Sequence, residues 1–309
     1  MHAAGSSSEA EAAKLEPLLG GLLFLLSVAD DKIQYSFDGD EELLDEQLPP
    51  LPTGHCLRLR TLAADGDNFT GGRVWHSAPV LCRWMAEHSH SHLHGRRVLD
   101  LGSGTGACGL YASGLGAQSV VLSDGAPRLL ELLQYNVEAN QSRIGSRVDV
   151  MQLEFGQSAH ALPHGPPIEL VLGSDVIYDA ASHCALCRTL SALLKRDRPR
   201  IVLATMPRSH TRLSSGASDA QPLYTETALS LFATEAQSHG LRVMPALGLA
   251  TQRAASVDDS SSDQQAILER DLSAFAWTAA EFRDAVPFVF EVVDGFSGSA
   301  DAAQERPSS

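Results

Sequence analysis

Val98-Leu99-Asp100-Leu101-Gly102-Ser103-Gly104-Thr105-Gly106-Ala107-Cys108-Gly109 decides how this chain is read. Val98, Leu99 and Leu101 make a short apolar strand that runs straight into three glycines spaced by two, Gly102, Gly104 and Gly106. Small residues able to start a helix follow, with Gly109 a turn further on. Glycine carries no Cβ, so it lets the backbone turn tightly and a ligand approach closely. A strand, a glycine-rich turn and a helix N-terminus together make a cofactor cradle. Gly104, Gly106 and Gly109 also satisfy G-x-G-x-x-G, so the glycines alone leave a dinucleotide open. Asp100 would repel a pyrophosphate and is placed to reach a cationic group lying over the turn. Asp124 closes the next apolar run, Val120 to Leu122, where a ribose-binding carboxylate belongs.

Outward from this turn, strand and helix patterns alternate, the signature of a parallel sheet in an α/β fold. Pro127 opens a helix with Leu129, Leu130, Leu132, Leu133 and Val137 toward the core. Residues 147–153, 168–174 and 200–205 read as the third, fourth and fifth strands. Asp100, Asp124, Phe155 and Asp175 then fall at carboxyl ends of strands, where open α/β sheets bind their ligands. Upstream, residues 55–62 alternate like a half-buried strand. Ser77 is a plausible N-cap of a helix carrying Val80, Leu81, Trp84 and Met85. His88, His90, His92 and His94 read as a solvated linker, with no carboxylate or cysteine to complete a metal site. Beyond the fifth strand, residues 209–220 read as a polar loop, 224–239 and 267–282 as helices, and 241–245 and 286–293 as strands. Residues 251–263 read as a mobile Ser/Asp-rich segment.

Composition narrows the partners. A formal net charge of −15 over 309 residues argues against a nucleic-acid partner, because that affinity comes from Lys and Arg on phosphates; it suits a basic one. Five cysteines, odd in number and without a framework, look like reduced intracellular thiols. Cys184 and Cys187 form a C-x-x-C on a helical pattern whose apolar face takes Cys187, and no second pair completes a zinc site, so no metal is expected. Residues 17–29 are apolar but too short to cross a bilayer, and the acids before them suit no secretory signal. Residues 38–46 carry six acids in nine positions, a solvated surface or a recruiter of basic substrate.

Asp100 to Gly106 resembles the D/E-x-G-x-G-x-G motif of S-adenosylmethionine-dependent methyltransferases with a seven-stranded Rossmann-like domain. Gly72-Arg73-Val74-Trp75, Leu153-Glu154-Phe155-Gly156 and Asp175-Val176-Ile177-Tyr178 are similar to the lysine-methyltransferase group called methyltransferase family 16. The likeness covers roughly residues 55–210. It implies a mostly parallel sheet ending in an antiparallel C-terminal hairpin. The methyltransferase domain is expected over 71–293 with an extension over 15–70 packing on it, while residues 1–14, rich in Ala, Ser and Glu, and the tail over 294–309 read as disordered.

By the same resemblance the cofactor is S-adenosyl-L-methionine, held by Trp75, Asp100, Gly102, Ser103, Gly104, Gly106, Asp124, Phe155 and Ser174. Phe155 stands where the family usually carries tryptophan, and Ser174 where it tends to have alanine. Amino methyltransferases of nucleobases carry prolines inside the tetrad at 175–178. Val176 and Ile177 replace them here, as in the version associated with protein lysine. Asp175 is then expected to position the acceptor ammonium and Tyr178 to line its channel.

These readings imply a protein-lysine N-methyltransferase, cytoplasmic or nuclear and monomeric, acting on a basic protein rather than on nucleic acid or a membrane. Several alternatives stay open: a small-molecule or protein-histidine methyltransferase, a nicotinamide oxidoreductase, and a silent S-adenosylmethionine-binding module. Asp175 has a structural alternative as the cap of the next helix, and Trp75 as a buried core residue.

Overall fold

The strand before the glycines is buried on both faces: Val98, Leu99 and Leu101 have no exposed surface, which is what a central strand of a parallel sheet requires. The computed structural model describes residues 43–44, 48–62, 70–157, 163–212, 223–246, 268, 272, 277–278 and 288–295. The chain divides into units at 1–37 and 38–309, and every described residue lies in the second. The readings of 1–14, 17–29, 251–263 and the tail beyond 295, and most of the acidic run, lie outside the described residues.

In chain order the elements are β1 (Leu43–Leu44), β2 (Arg58–Leu59), α1 (Ser77–His92), β3 (Arg97–Leu101), α2 (Ala107–Gly114), β4 (Ser119–Asp124), α3 (Pro127–Asn140), β5 (Arg147–Gln152) and β6 (Leu170–Ser174). A 3-10 turn (Ala180–Ser182) leads into α4 (His183–Asp197), β7 (Arg200–Thr205), β8 (His210–Arg212), β9 (Leu223–Glu226), α5 (Thr227–Ser238), β10 (Leu241–Pro245), β11 (Trp277–Thr278) and β12 (Phe288–Asp294). Seven strands form one sheet in the order β10-β12-β7-β6-β3-β4-β5. Strands β5, β4, β3, β6 and β7 are parallel, and β12 runs antiparallel to both β7 and β10. This is the mostly parallel sheet with an antiparallel C-terminal pair that the motifs imply.

Period two sorts each strand onto two cores. Val98, Val120 and Leu122 face the side covered by α1 and α2, while Leu99, Leu101, Val121 and Leu203 face α4 and α5. Asp100 therefore points the same way as Val98, toward α2. Its neighbours in the sheet sit on either side, β4 carrying the chain one way and β6 the other, so the end of β3 is the topological switch point.

Several local expectations are corrected. Ser77 is the first helical residue rather than the cap. Its hydroxyl is buried without a partner, and the carbonyl of Trp75 takes the Ala78 N–H at 2.9 Å in place of a side-chain cap. The histidine run is not a linker, because α1 continues through His92. Trp84, His88 and His92 stack one turn apart, with Trp84–His88 centroids 4.8 Å and His88–His92 centroids 6.2 Å apart. Residues spaced by two lie on opposite helix faces, so His90 does not join this stack.

The alternation at 55–62 gives only two residues of ladder. Leu57 and Leu59 are buried as the pattern requires, but the far edge of the segment bonds to side chains. Asn140 and Asn136, one turn apart on α3, accept from the N–H of Arg58 and Arg60 at 2.8 and 2.7 Å and return their amide hydrogens to the same residues' carbonyls. The polar stretch at 209–220 begins with β8, which pairs with β9, and β11 occupies 277–278 within the segment read as a helix.

Candidate active site

Asp100 and Gly109 explain each other. A Cβ on Gly109 would sit 2.2 Å from Leu122 Cδ2 and 3.1 Å from Asp100 Oδ2, so only glycine lets α2 approach β3 and β4 this closely. The Gly109 N–H then donates to Asp100 Oδ2 at 2.9 Å, and the carboxylate sits at the helix N-terminus where its charge is favoured. Burial nevertheless pushes the Asp100 carboxyl up to about 7; the Gly109 N–H and the Ser103 hydroxyl pull it down, and Asp124 adds to the rise.

The glycine turn is pinned to the tip of β4. Ser103 N–H donates to Ser123 O at 2.9 Å, and Gly104 N–H to Asp124 Oδ2 at 3.1 Å. Gly104 has φ +55°, and a Cβ there would lie 2.7 Å from Gly71 O, so the segment preceding α1 packs against bare backbone. Asp124 Oδ1 accepts from Ala126 N–H at 3.1 Å. Burial raises its carboxyl too, against the pull of the Ala126, Gly104 and Gly125 N–H groups.

These groups wall a cavity of about 510 Å³ at the carboxyl ends of β3, β4 and β6, within the range of small-molecule sites. Trp75, Asp100, Gly102, Ser103 and Gly104 line one part of it. Asp124, Phe155, Ser174, Asp175 and Tyr178 line another part. Gly106 does not: with φ +81° it caps α2, and a Cβ there would meet Leu133 and Leu122 instead. Phe155 is half-buried, and the following Gly156 N–H bonds to Thr189 on α4 at 2.8 Å, which fixes the loop after β5. Cys108 also lines the cavity. The adjacent Cys82 and then burial push its thiol well above the usual range, which keeps it protonated and unreactive.

Asp175 follows β6 directly. Its φ of +55° is the left-handed region, tolerated by aspartate and held here by the Asp175 N–H bond to Ala204 O at 2.8 Å. Asp175 Oδ1 accepts from Arg208 Nη2 at 2.9 Å and from Met206 N–H at 3.2 Å, whereas Oδ2 is buried without a hydrogen-bond partner. The helix cap that competed for this residue is Asp179, which accepts from Ala181 N–H at 3.0 Å. Trp75 is half-buried rather than core, with the guanidinium carbons of Arg73 and Arg208 5.4 and 5.7 Å from its ring centroid. Tyr178 is 55% exposed at the cavity mouth, and its hydroxyl accepts from Thr70 Oγ1 at 3.4 Å.

Sequence reasoning missed Arg208, Arg73 and Thr70. Arg208 was marked only by its place: three residues past β7, at the same sheet edge as every acid in the cavity.

A family model described as lysine methyltransferase matches residues 58–215, just over half of the chain. The chain belongs to this family. Protein N-lysine methyltransferase METTL21A of Danio rerio is 39% identical over 126 residues, 40% of this chain and 56% of the relative. Protein-lysine N-methyltransferase EFM3 of Chaetomium thermophilum is 36% identical over 147 residues, 45% of this chain and 42% of the relative. Histone-arginine methyltransferase METTL23 of Xenopus laevis is 34% identical over 128 residues, 41% of this chain and 53% of the relative. The chain thus spans about half the length of the relatives it matches. Among solved structures, magnesium protoporphyrin IX methyltransferase of Synechocystis aligns with a TM-score of 0.40 at 16% identity, over 70% of this chain and 81% of that one. No described helix is long and apolar enough to cross a membrane.

Proposed function

We propose that this chain transfers a methyl group from S-adenosylmethionine to a lysine side chain of a protein. The observation that carries this reading is Asp175, a buried carboxylate in the cavity wall with one oxygen engaged by Arg208 and the other unpartnered. An acceptor cation can complete it through a charge-assisted hydrogen bond.

The residues present suit the cofactor. Asp124 retains lone pairs beyond those bonded to Gly104 and Ala126 N–H for a pair of ribose hydroxyls. Phe155 offers an apolar face to adenine, the Ser174 backbone closes the floor, and Asp100 supplies carboxyl oxygens beside Gly102 and Ser103. When bound, S-adenosylmethionine supplies an electrophilic methyl group on a positively charged sulfur.

The acceptor side has to receive an ammonium and present a neutral amine. A carboxylate alone would hold the proton on. Arg208, bonded to the same carboxylate, opposes that effect as a like charge, so the pair recognises the lysine without trapping its proton. The proton leaves to water at the open mouth beside Tyr178. Orientation of the lone pair within the cavity supplies most of the rate.

Net charge favours a basic substrate, all five cysteines are free thiols as in the cytoplasm or nucleus, and we take the working unit to be a monomer. Arginine is the second reading, because some relatives are named histone-arginine methyltransferases.

The test is transfer of labelled methyl from S-adenosylmethionine into a cell lysate by wild type and by Asp175→Ala, with amino-acid analysis of the product. Label is expected in methyl-lysine and is reduced by about 10- to 100-fold in the variant, the worth of a charged hydrogen bond. Calorimetry with S-adenosylhomocysteine is expected to show that the variant retains the cofactor site. Label in methyl-arginine, methyl-histidine or small molecules, or none despite cofactor binding, overturns the lysine assignment.

A further inference from the structure

Away from the cavity, three donors of different chemistry converge between two packed helices. Cys184 lies in the first turn of α4. Glu235 is in the last turn of α5, and His239 follows one turn later, just past the helix end. His239 Nε2 is 3.0 Å from Glu235 Oε1 and 3.7 Å from Cys184 Sγ, and all three ligand atoms lie within 4.8 Å of one another. The thiol is exposed and the other two side chains are half-buried, so the cluster opens to solvent.

We propose that Cys184, Glu235 and His239 form a binding site for a divalent transition-metal ion, Zn²⁺ by the nature of the donors. A zinc ion with Zn–N of about 2.0 Å and Zn–S of about 2.3 Å at the tetrahedral angle sets its sulfur and nitrogen ligands about 3.5 Å apart. It sets a nitrogen and an oxygen about 3.3 Å apart. The observed 3.7 and 3.0 Å differ from these by a few tenths of an ångström, within a rotamer adjustment of either side chain.

A thiolate with an imidazole disfavours Mg²⁺ and Ca²⁺, which take oxygen ligands. Three protein ligands leave a fourth position for water, the open form of a zinc site. The neighbouring Cys187 plays no part, being fully buried among the core side chains beneath α4. Metal binding would tie the start of α4 to the end of α5. The segment just before Cys184 carries Tyr178 and Ser182 on the cavity wall, so the site sits behind the acceptor side.

The experiment is titration of the full chain, reduced, with Co²⁺ followed by absorption, then displacement by Zn²⁺. A thiolate-to-cobalt charge-transfer band is expected to saturate at one equivalent and to vanish with Zn²⁺. Cys184→Ala should abolish the band, His239→Ala should weaken affinity by at least about tenfold, and Cys56→Ala should change neither. Zn²⁺ should raise the melting temperature of wild type but not of Cys184→Ala, whose exposed site makes the variant safe for folding. Absence of the band in wild type, or its persistence in Cys184→Ala, overturns the site. These readouts need no methyl transfer, so failure here leaves the lysine reading standing, and failure of that reading leaves this one.

Discussion

Replacing Asp100 by asparagine should change how stability depends on pH. The Asp100 carboxyl is 2% exposed and is raised from an ordinary 3.8 to about 7, chiefly by burial. At 1.36 kcal/mol per unit, ionising it inside the fold costs about 4 kcal/mol relative to the unfolded chain. The sign follows from proton binding. Between pH 4 and 7 the folded chain holds a proton that the unfolded chain has lost, so stability falls as pH rises through that window. Above about pH 8 both states are ionised and the fall stops.

The asparagine side chain would remain neutral throughout and could still accept the Gly109 N–H through its amide oxygen. The stability of wild type minus that of Asp100→Asn, taken from urea unfolding at each pH, should therefore drop by about 3 kcal/mol between pH 5 and pH 8. Other titrating groups largely cancel in this difference. A difference that stays constant within about 0.5 kcal/mol would refute the claim that burial, rather than the helix N-terminus, governs Asp100.

Arg208→Ala should lose about 1–3 kcal/mol of stability in thermal or urea unfolding, because it leaves the Asp175 carboxylate buried with only the Met206 N–H. It should also cut methyl transfer while leaving S-adenosylhomocysteine affinity nearly unchanged, and Arg208→Lys should recover part of the loss. Asn136→Ala should cost about 2 kcal/mol and speed hydrogen exchange at Arg60, since it removes the amide that accepts from the Arg60 N–H and donates to the carbonyls of Arg60 and Thr105. An exchange rate at Arg60 equal to wild type would show that the amide clamp does not hold that segment.

The sheet is legible in the sequence because its signal is local and periodic. Val98 to Leu101, Val120 to Leu122 and Ile201 to Ala204 are runs of strand-forming residues, nearly all apolar, and such runs bounded by glycine or acid carry strand, burial and ligand edge together. The segment at 55–62 shows where that logic stops. Its alternation is that of a half-buried backbone, as the structure bears out. The partner on one side is a pair of asparagines on α3, 82 and 76 residues away, and side-chain amides at i, i+4 leave no mark distinguishable from ordinary helix polarity. The histidine run misleads for a different reason: aromatic stacking at i, i+4 onto Trp84 carries a helix through residues whose composition alone reads as loop.

The acceptor side exposes a deeper limit. Asp175 is identifiable as an acid at a strand end, but its electrostatic character is set by Arg208, thirty-three residues on and outside every motif. An unpaired buried carboxylate and one already bonded to a guanidinium make different demands on an incoming amine: the first would bind the ammonium tightly and keep its proton, the second binds it less tightly and lets the proton go. Since the pairing arises only because β6 and β7 are adjacent parallel strands, the residue that tunes this chemistry is specified by sheet order, and motif reading along one strand end cannot reach it.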